Sequence, residues 1–357
     1  MLGKMQERGR SLYETIQKER APKLKFPLRS LSNVTFNKKV GHFVMKGKTL
    51  ERTLTVNTIR TFAQTLRMMA LSKELIETRD FATKRDAYYQ TKNWGEAGCH
   101  EQTESDTIMD DLEGLFGVNK EQLGFRPDEH GGSVAGQITI IETDADTGRQ
   151  NRIDCTQYIK GSYAIPSSVE DLAFETRAKF ILAIETHGMF ERLNEHKFWQ
   201  TYKCILISMR GVPSRAVRRF TRRIADQFKL PVYVFTDGDP YGYANIYRTL
   251  KVGSGNNAHL NEYFCVPQAR YLGVTPEDID TYKLPTHPLK EVDIKRARDA
   301  LKNDSFFQEH KDWAKAVDKM LSKGQRVEQQ ALSKHGLNYV IDTYLPEKLA
   351  RPERFLS

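Results

Sequence analysis

Three short apolar runs in the second half of the chain, at residues 180–184, 204–209 and 232–235, are separated by stretches of helical periodicity at 189–195 and 214–228. Runs of four to six residues without polar alternation are too short for buried helices and fit strands covered on both faces. Their alternation with helical segments predicts a parallel sheet wound with helices, an α/β architecture.

In such a sheet the carboxyl ends of the strands line one crevice. Glu185 closes the first run, and Asp237 and Asp239 close the third within Thr236-Asp-Gly-Asp-Pro-Tyr-Gly242. Carboxylates that converge need a cation. Magnesium fits, because it takes hard oxygen ligands and keeps several waters beside a phosphate. The competing reading has these acids capping helices or pairing with arginines. An Asp-x-Asp alone says little, but a strand-end Glu about fifty residues upstream favours the metal.

Arg210, Arg215, Arg218, Arg219, Arg222 and Arg223 follow one another with no acid before Asp226. On a helix, Arg215, Arg218, Arg219 and Arg222 share one broad face and leave Val217, Phe220 and Ile224 to bury the other. That face suits a row of DNA phosphates. The lesser alternative is that it docks an acidic partner such as the 101–160 segment of the same chain. The formal charge of +9 divides into +11 for residues 1–100, −8 for 101–160 and +6 for the rest, an asymmetry consistent with a polyanionic partner.

The first half reads as α+β. Residues 31–56 alternate as short strands and turns, 57–78 turn helical through Phe62, Leu66, Met69 and Ile76, and a helix at 84–92 follows the cap candidate Thr83. A third helix is expected at 106–116, then a hairpin from 137–142 to 151–155 across Asp146-Thr-Gly148. Helices followed by a twisted hairpin fit a winged-helix domain, and equally a small α+β domain of any purpose. The turn-rich stretch 161–168 suits a boundary between two domains.

Cys99, Cys155, Cys204 and Cys265 lie about fifty residues or more apart without zinc-site spacing, which predicts reduced thiols. No apolar run approaches the ~20 residues that span a bilayer, and the charged start lacks a secretory core, so the chain is expected inside the cell.

Thr83-Lys-Arg-Asp-Ala-Tyr-Tyr-Gln90 places Arg85 and Tyr89 on one helix face. A phenol is a poor nucleophile near neutral pH, and a cation that also holds a phosphate would aid its ionisation and positioning. Taken alone, a tyrosine pair on a helix is more often packing.

Lys84-Arg-Asp-Ala-Tyr-Tyr-Gln-Thr-Lys-Asn-Trp94, Ala183-Ile-Glu-Thr186 and Thr236-Asp-Gly-Asp-Pro-Tyr-Gly242, in that order, resemble the A subunits of type IIB topoisomerases, a family that includes the meiotic double-strand-break transesterases. Arg29-Ser-Leu-Ser-Asn33, Tyr163-Ala-Ile-Pro-Ser-Ser-Val-Glu170 and Gly211-Val-Pro-Ser-Arg-Ala-Val-Arg-Arg-Phe220 extend the likeness over most of residues 25–280. One departure is His187, where many relatives carry a small residue.

The resemblance implies two folded domains, a catabolite-activator-like winged-helix domain with an active-site tyrosine and a Toprim α/β domain. The expected boundaries are 1–60 for an N-terminal extension that contacts a partner subunit, 61–160 for the winged helix, and 161–357 for the Toprim domain with a C-terminal helical extension. Tyr89 inherits the nucleophile's role and Arg85 the phosphate-binding arginine's. Glu185, Asp237 and Asp239 inherit a Mg²⁺ site. The implied partners are double-stranded DNA, a second copy of the chain in a homodimer, and a GHKL-type ATPase B subunit in an A2B2 assembly on the nucleoid, or in the nucleus of a eukaryote. No Gly-x-x-x-x-Gly-Lys-Ser/Thr loop occurs in this chain, in keeping with ATP being handled elsewhere. A meiotic-type protein that cuts without resealing and a noncatalytic DNA-binding scaffold stand as alternatives.

Overall fold

The computed structural model of the chain describes residues 1–126, 131–144, 146–158, 160–253 and 257–357. The chain divides into two compact units. One comprises Met1–Thr35, Val44–Glu129 and Gly255–Leu260, and the other Phe36–Phe43, His130–Ser254 and Asn261–Ser357.

The first unit is mainly helical. It contains α1 (Leu2–Gln17), β1 (Lys23–Pro27) paired antiparallel with β2 (Thr49–Thr53), and α2 (Ile59–Thr78). Then follow β3 (Ala82–Thr83), α3 (Lys84–Thr91), α4 (Gln102–Phe116) and β4 (Phe125–Arg126), which pairs in parallel with β3. Of the apolar stripe expected along 57–78, Phe62 and Met69 are buried while Leu66 and Ile76 are half-buried; Met68 and Leu75 are buried beside them, and the stripe meets Ile108, Met109 and Leu112 of α4 or Leu24 and Phe26 of β1. Thr83 caps α3 as expected, accepting from the Asp86 amide while the Asp86 carboxylate accepts from the Thr83 amide. Helix α4 begins four residues before the expected start. Its opening residues Gln102 and Thr103 are exposed, so the first turn carries no apolar period to read.

The second unit is built on a six-stranded mixed sheet. Its strands are β5 (Ser133–Gly136), β8 (Tyr163–Ala164), β10 (Phe180–Ile184), β11 (Cys204–Ser208), β12 (Val232–Phe235) and β13 (Ala269–Gly273), in the order β8-β5-β11-β10-β12-β13. The intervening β6 (Ile138–Thr143), β7 (Gln150–Asp154) and β9 (Ala173–Thr176) form a separate sheet ordered β9-β6-β7. Strands β10, β11 and β12 are parallel, as expected from their apolar runs, β13 joins them in parallel without having been expected, and every residue of β10 and β11 is buried. Helices α5 (His187–Glu195) and α6 (Arg215–Phe228) fill the two expected crossovers.

The sheet departs from an all-parallel plan at one edge, where β5 runs antiparallel to both of its neighbours, β11 and β8. The hairpin expected to follow the helices exists, with Thr139 opposite Asp154 and Thr143 opposite Gln150, although Ala145 at its tip lies outside the described residues. It belongs to the second unit rather than with α2–α4. Gln137 alone separates β5 from β6, so the hairpin follows β5 into that unit, where β6 pairs with β9 and buries Ile138 and Ile140.

The C-terminal residues also serve this sheet. Trp313 is fully buried against the rings of Tyr243, Tyr247 and Tyr271, and Val327, Val340, Tyr344 and Leu345 join the core around Phe235 and Leu272. Among the described residues no helix is long and apolar enough to cross a membrane.

Candidate active site

Parallel pairing of Ile184 with Phe235 sets the carboxyl ends of β10 and β12 side by side, so Glu185 and Asp237 emerge as neighbours. The Asp237 amide donates to Glu185 Oε2 at 2.8 Å, the Gln329 amide to Asp237 Oδ1 at 2.8 Å, and the Gly242 amide to Asp239 Oδ1 at 2.6 Å. Burial and the Asp237 charge push the Glu185 carboxyl up to about 8 against the pull of that amide. Burial likewise lifts Asp237 to about 6, opposed by the Gln329 amide and reinforced by the charges of Asp239 and Glu328. Asp239 is raised by burial against the Gly242 amide. The carboxylates thus repel one another at a half-buried strand end, an imbalance that a cation relieves.

Among the described residues no three His, Cys, Asp or Glu side chains converge into a closed set of metal ligands. Mg²⁺ does not require one, since it is commonly held by one or two carboxylates and keeps its waters. The donor chemistry of Glu185, Asp237 and Asp239 fits that ion.

The segment 326–329, which no local pattern marks, completes this corner. Gly238 and Val327 exchange backbone hydrogen bonds of 2.8 and 3.1 Å, and a Cβ at Gly238 would sit 2.7 Å from both the Val274 carbonyl oxygen and Val327 Cγ1. Glycine is therefore required here for close approach. Fully buried Gln329 also donates through Nε2 to the Phe235 carbonyl at 2.9 Å and accepts from Thr186 Oγ1 at 2.8 Å. His187 opens α5, with Nδ1 3.2 Å from Ser208 Oγ and its ring stacked on Phe190.

In the first unit the two tyrosines of α3 differ. Tyr88 donates its hydroxyl to the His100 carbonyl at 2.9 Å, and the Lys92 ammonium lies 4.4 Å from its ring centroid. Tyr89 is 55% exposed, with the Arg85 guanidinium 5.9 Å from its ring, and among the described residues its hydroxyl has no hydrogen-bond partner. Arg85 is exposed too. Other residues of the resembling stretches hold structure: Asn33 is buried and bonds the Leu28 and Lys48 carbonyls, and Arg29 pairs with Asp110 and Asp111.

The arginine helix also holds structure. Val217, Phe220 and Ile224 are buried as expected, but the opposite face packs against the second unit's own chain. Arg219 makes a two-pronged bond to Glu170, at 2.7 Å through Nε and 2.9 Å through Nη2. Arg222 bonds the Cys265 carbonyl and Asp226, and Arg223 bonds the Val169 and Leu172 carbonyls. The guanidinium groups of Arg215 and Arg218 lie 4.8 and 5.6 Å from the Phe264 ring. None of Arg215, Arg218, Arg219 and Arg222 is fully exposed, and the acid met by Arg219 is Glu170 rather than a residue of 101–160.

Three family models match in succession. They describe a type IIB DNA topoisomerase over residues 60–125, an all-beta domain in the DNA topoisomerase VI alpha subunit over 128–178, and the Toprim domain shared by Spo11 and the topoisomerase 6 A subunit over 180–349. Curated proteins named as the A subunit of type 2 DNA topoisomerase 6 are similar along the whole chain. That of Methanocaldococcus jannaschii is 53% identical over 97% of this chain and 93% of its own length. That of Methanothermobacter thermautotrophicus is 35% identical over 99% and 98%, and that of Archaeoglobus fulgidus 36% identical over 95% and 94%. A Toprim sheet with acids at its strand ends and a tyrosine helix in the other unit agree with this likeness throughout, and the chain belongs to the family of DNA topoisomerase VI A subunits.

Proposed function

We propose that this chain is the DNA-cleaving subunit of a type IIB topoisomerase and that Tyr89 is its nucleophile. One observation carries the assignment of the tyrosine: the Tyr88 hydroxyl is committed to the His100 carbonyl, whereas Tyr89 is exposed one turn beyond Arg85. The Tyr89 oxygen attacks a backbone phosphorus and gives up its proton, and the bond from phosphorus to the 3′ oxygen breaks. The products are a 5′-phosphotyrosyl link and a 3′ hydroxyl, which takes up a proton. One phosphodiester replaces another, so resealing by the reverse step consumes no ATP.

Arg85 orients the phosphate and balances its charge. Glu185, Asp237 and Asp239 are the residues that would hold Mg²⁺, which when bound supplies positive charge at the phosphate and the leaving oxygen. The phosphate-contact assignment stays with the arginine helix as a whole, on which Arg219 and Arg222 also hold the fold. Helices α2–α4 carry the winged-helix assignment of residues 61–160, without the β6–β7 hairpin as their wing. Residues 161–357 are assigned to the Toprim domain and 1–60 to contact with a GHKL-type ATPase subunit, in an A2B2 assembly that cuts both strands.

The test is covalent trapping. The chain, its ATPase partner, supercoiled DNA and Mg²⁺ are mixed and denatured, with an adduct expected on Tyr89 at a 5′ end together with relaxation of the unquenched DNA. An adduct without relaxation would indicate a cutting-only enzyme, and binding without any adduct a scaffold.

A further inference from the structure

Beside the tyrosine helix stands a second cation that neither the motif nor its spacing marks. Strands β3 and β4 pair in parallel with Thr83 opposite Arg126, so residue 126 lies next to the N-cap of the helix that carries Arg85 and Tyr89. Side chains alternate along these short strands. Ala82 and Phe125 are buried, which turns Phe81, Thr83 and Arg126 to the other side. There the Arg126 guanidinium lies 4.1 Å from the ring centroid of Phe81, which is 47% exposed.

The position is rigidly built. Leu123 and Phe125 are fully buried, and Ser72 Oγ donates to the Leu123 carbonyl at 2.7 Å. Gly124 has φ +85°, and a Cβ there would meet Leu75 Cβ at 2.8 Å. The Ala82 amide donates to the Gly124 carbonyl at 3.0 Å.

Among the described residues no carboxylate pairs with Arg126. The nearest acid in the helix cap, Asp86, is spent on the amide and hydroxyl of Thr83. An aromatic ring orients a guanidinium without neutralising it, and a stacked arginine is a form in which phosphates are bound. Arg126 is thus set up for an anion outside the protein.

We propose that Arg126, held on Phe81, is a second phosphate subsite for the DNA strand engaged by the tyrosine helix. This rests on the reading of Tyr89 as nucleophile only for its register. Tyr89 lies six helical steps beyond Thr83, about 9 Å along the axis. Phosphates of one strand advance about 3.4 Å each along duplex DNA, so the subsite takes a phosphate roughly three positions from the one attacked. Arg126 is a positioning residue: it fixes where the strand lies while Tyr89 and Arg85 meet the reacting phosphate.

The test is equilibrium binding of the full-length chain to a short duplex over a range of salt, in the wild type and in the Tyr89→Phe background, where cleavage plays no part. Arg126→Gln and Arg126→Met should bind every sequence several-fold more weakly and flatten the slope of log K against log salt by about 0.9. Arg126→Lys should retain the slope. Phe81→Leu, which keeps the charge but frees the guanidinium, should weaken binding at an unchanged slope. An unchanged slope in both Arg126→Gln and Arg126→Met overturns the subsite, and a lowered melting temperature with that unchanged slope would make Arg126 a brace for the fold. Failure of Tyr89 as nucleophile would show separately, as an adduct surviving Tyr89→Phe with the Arg126 slope change intact.

Discussion

The backbone amide of Asp237 donates a 2.8 Å hydrogen bond to Oε2 of Glu185, which joins two acids 52 residues apart at the ends of adjacent parallel strands. Both carboxyls sit above the usual carboxylate range of about 4, Glu185 at about 8 and Asp237 at about 6. Between those values the folded chain holds protons that the unfolded chain has released. Their contribution to stability is full below about pH 4 and is lost as pH rises through 6 and then 8. In chelator, the melting temperature should therefore fall from about pH 5 to about pH 9, less steeply in Glu185→Gln. Mg²⁺ binds the ionised form, so its stabilising effect should grow with pH. A melting temperature that ignores Mg²⁺ at the alkaline end would count against the metal site, as would Mg²⁺-stimulated cleavage by Glu185→Ala or Asp237→Ala.

The tyrosine pair separates chemistry from structure. Tyr89→Phe removes an exposed hydroxyl and should change stability by no more than about 0.5 kcal/mol while abolishing the covalent adduct. Tyr88→Phe gives up the bond to the His100 carbonyl, at a cost of about 1 kcal/mol, and should still cleave. A dead Tyr88 variant beside an active Tyr89 variant would reverse the assignment.

Gln329 tests the contribution of the C-terminal segment. Its side chain joins Thr186 to the Phe235 carbonyl, and its amide holds Asp237. Gln329→Ala removes one of two donors to the Phe235 carbonyl, which keeps the Glu185 amide, and takes the acceptor from the half-buried Thr186 hydroxyl, so it should cost about 1–2 kcal/mol in denaturant unfolding. With Thr186 and Asp237 less firmly held, cleavage should need more Mg²⁺. Wild-type Mg²⁺ dependence in a folded Gln329→Ala protein would remove this residue from the support of the site.

Two arginines of the helix test DNA contact against structure. Arg219→Gln leaves a largely buried Glu170 without its two-pronged partner and should cost about 1–3 kcal/mol, between the values for exposed and buried pairs. The salt dependence of DNA binding should not change. Arg218→Gln should flatten that dependence by about 0.9. The opposite pattern in these two variants would exchange their roles.

Local order was legible in the sequence because its causes lie within a few residues. The apolar runs at β10, β11 and β12, the stripe along α2 and the Thr83 cap are each set by neighbours in the chain, and strand-end chemistry then follows from topology. The tyrosine block and acidic block, in their order, were enough to indicate the family.

What only the tertiary structure decided are pairings between distant residues. Nothing near Arg219 announces that Glu170, 49 positions away, neutralises it, so a periodic arginine stripe reads as a free basic face although Arg219 and Arg222 are committed to the fold. The hairpin at 138–154 has the right pattern, but which unit it joins depends on β5 pairing with β11, far along the chain. Gln329 reaches Asp237 across 92 residues, and Arg126 reaches the cap of α3 only through a two-residue parallel bridge. Periodicity reports which side of an element is apolar; what that side, or the polar side opposite, will touch is set by packing, which brings together residues whose local sequences carry no trace of one another.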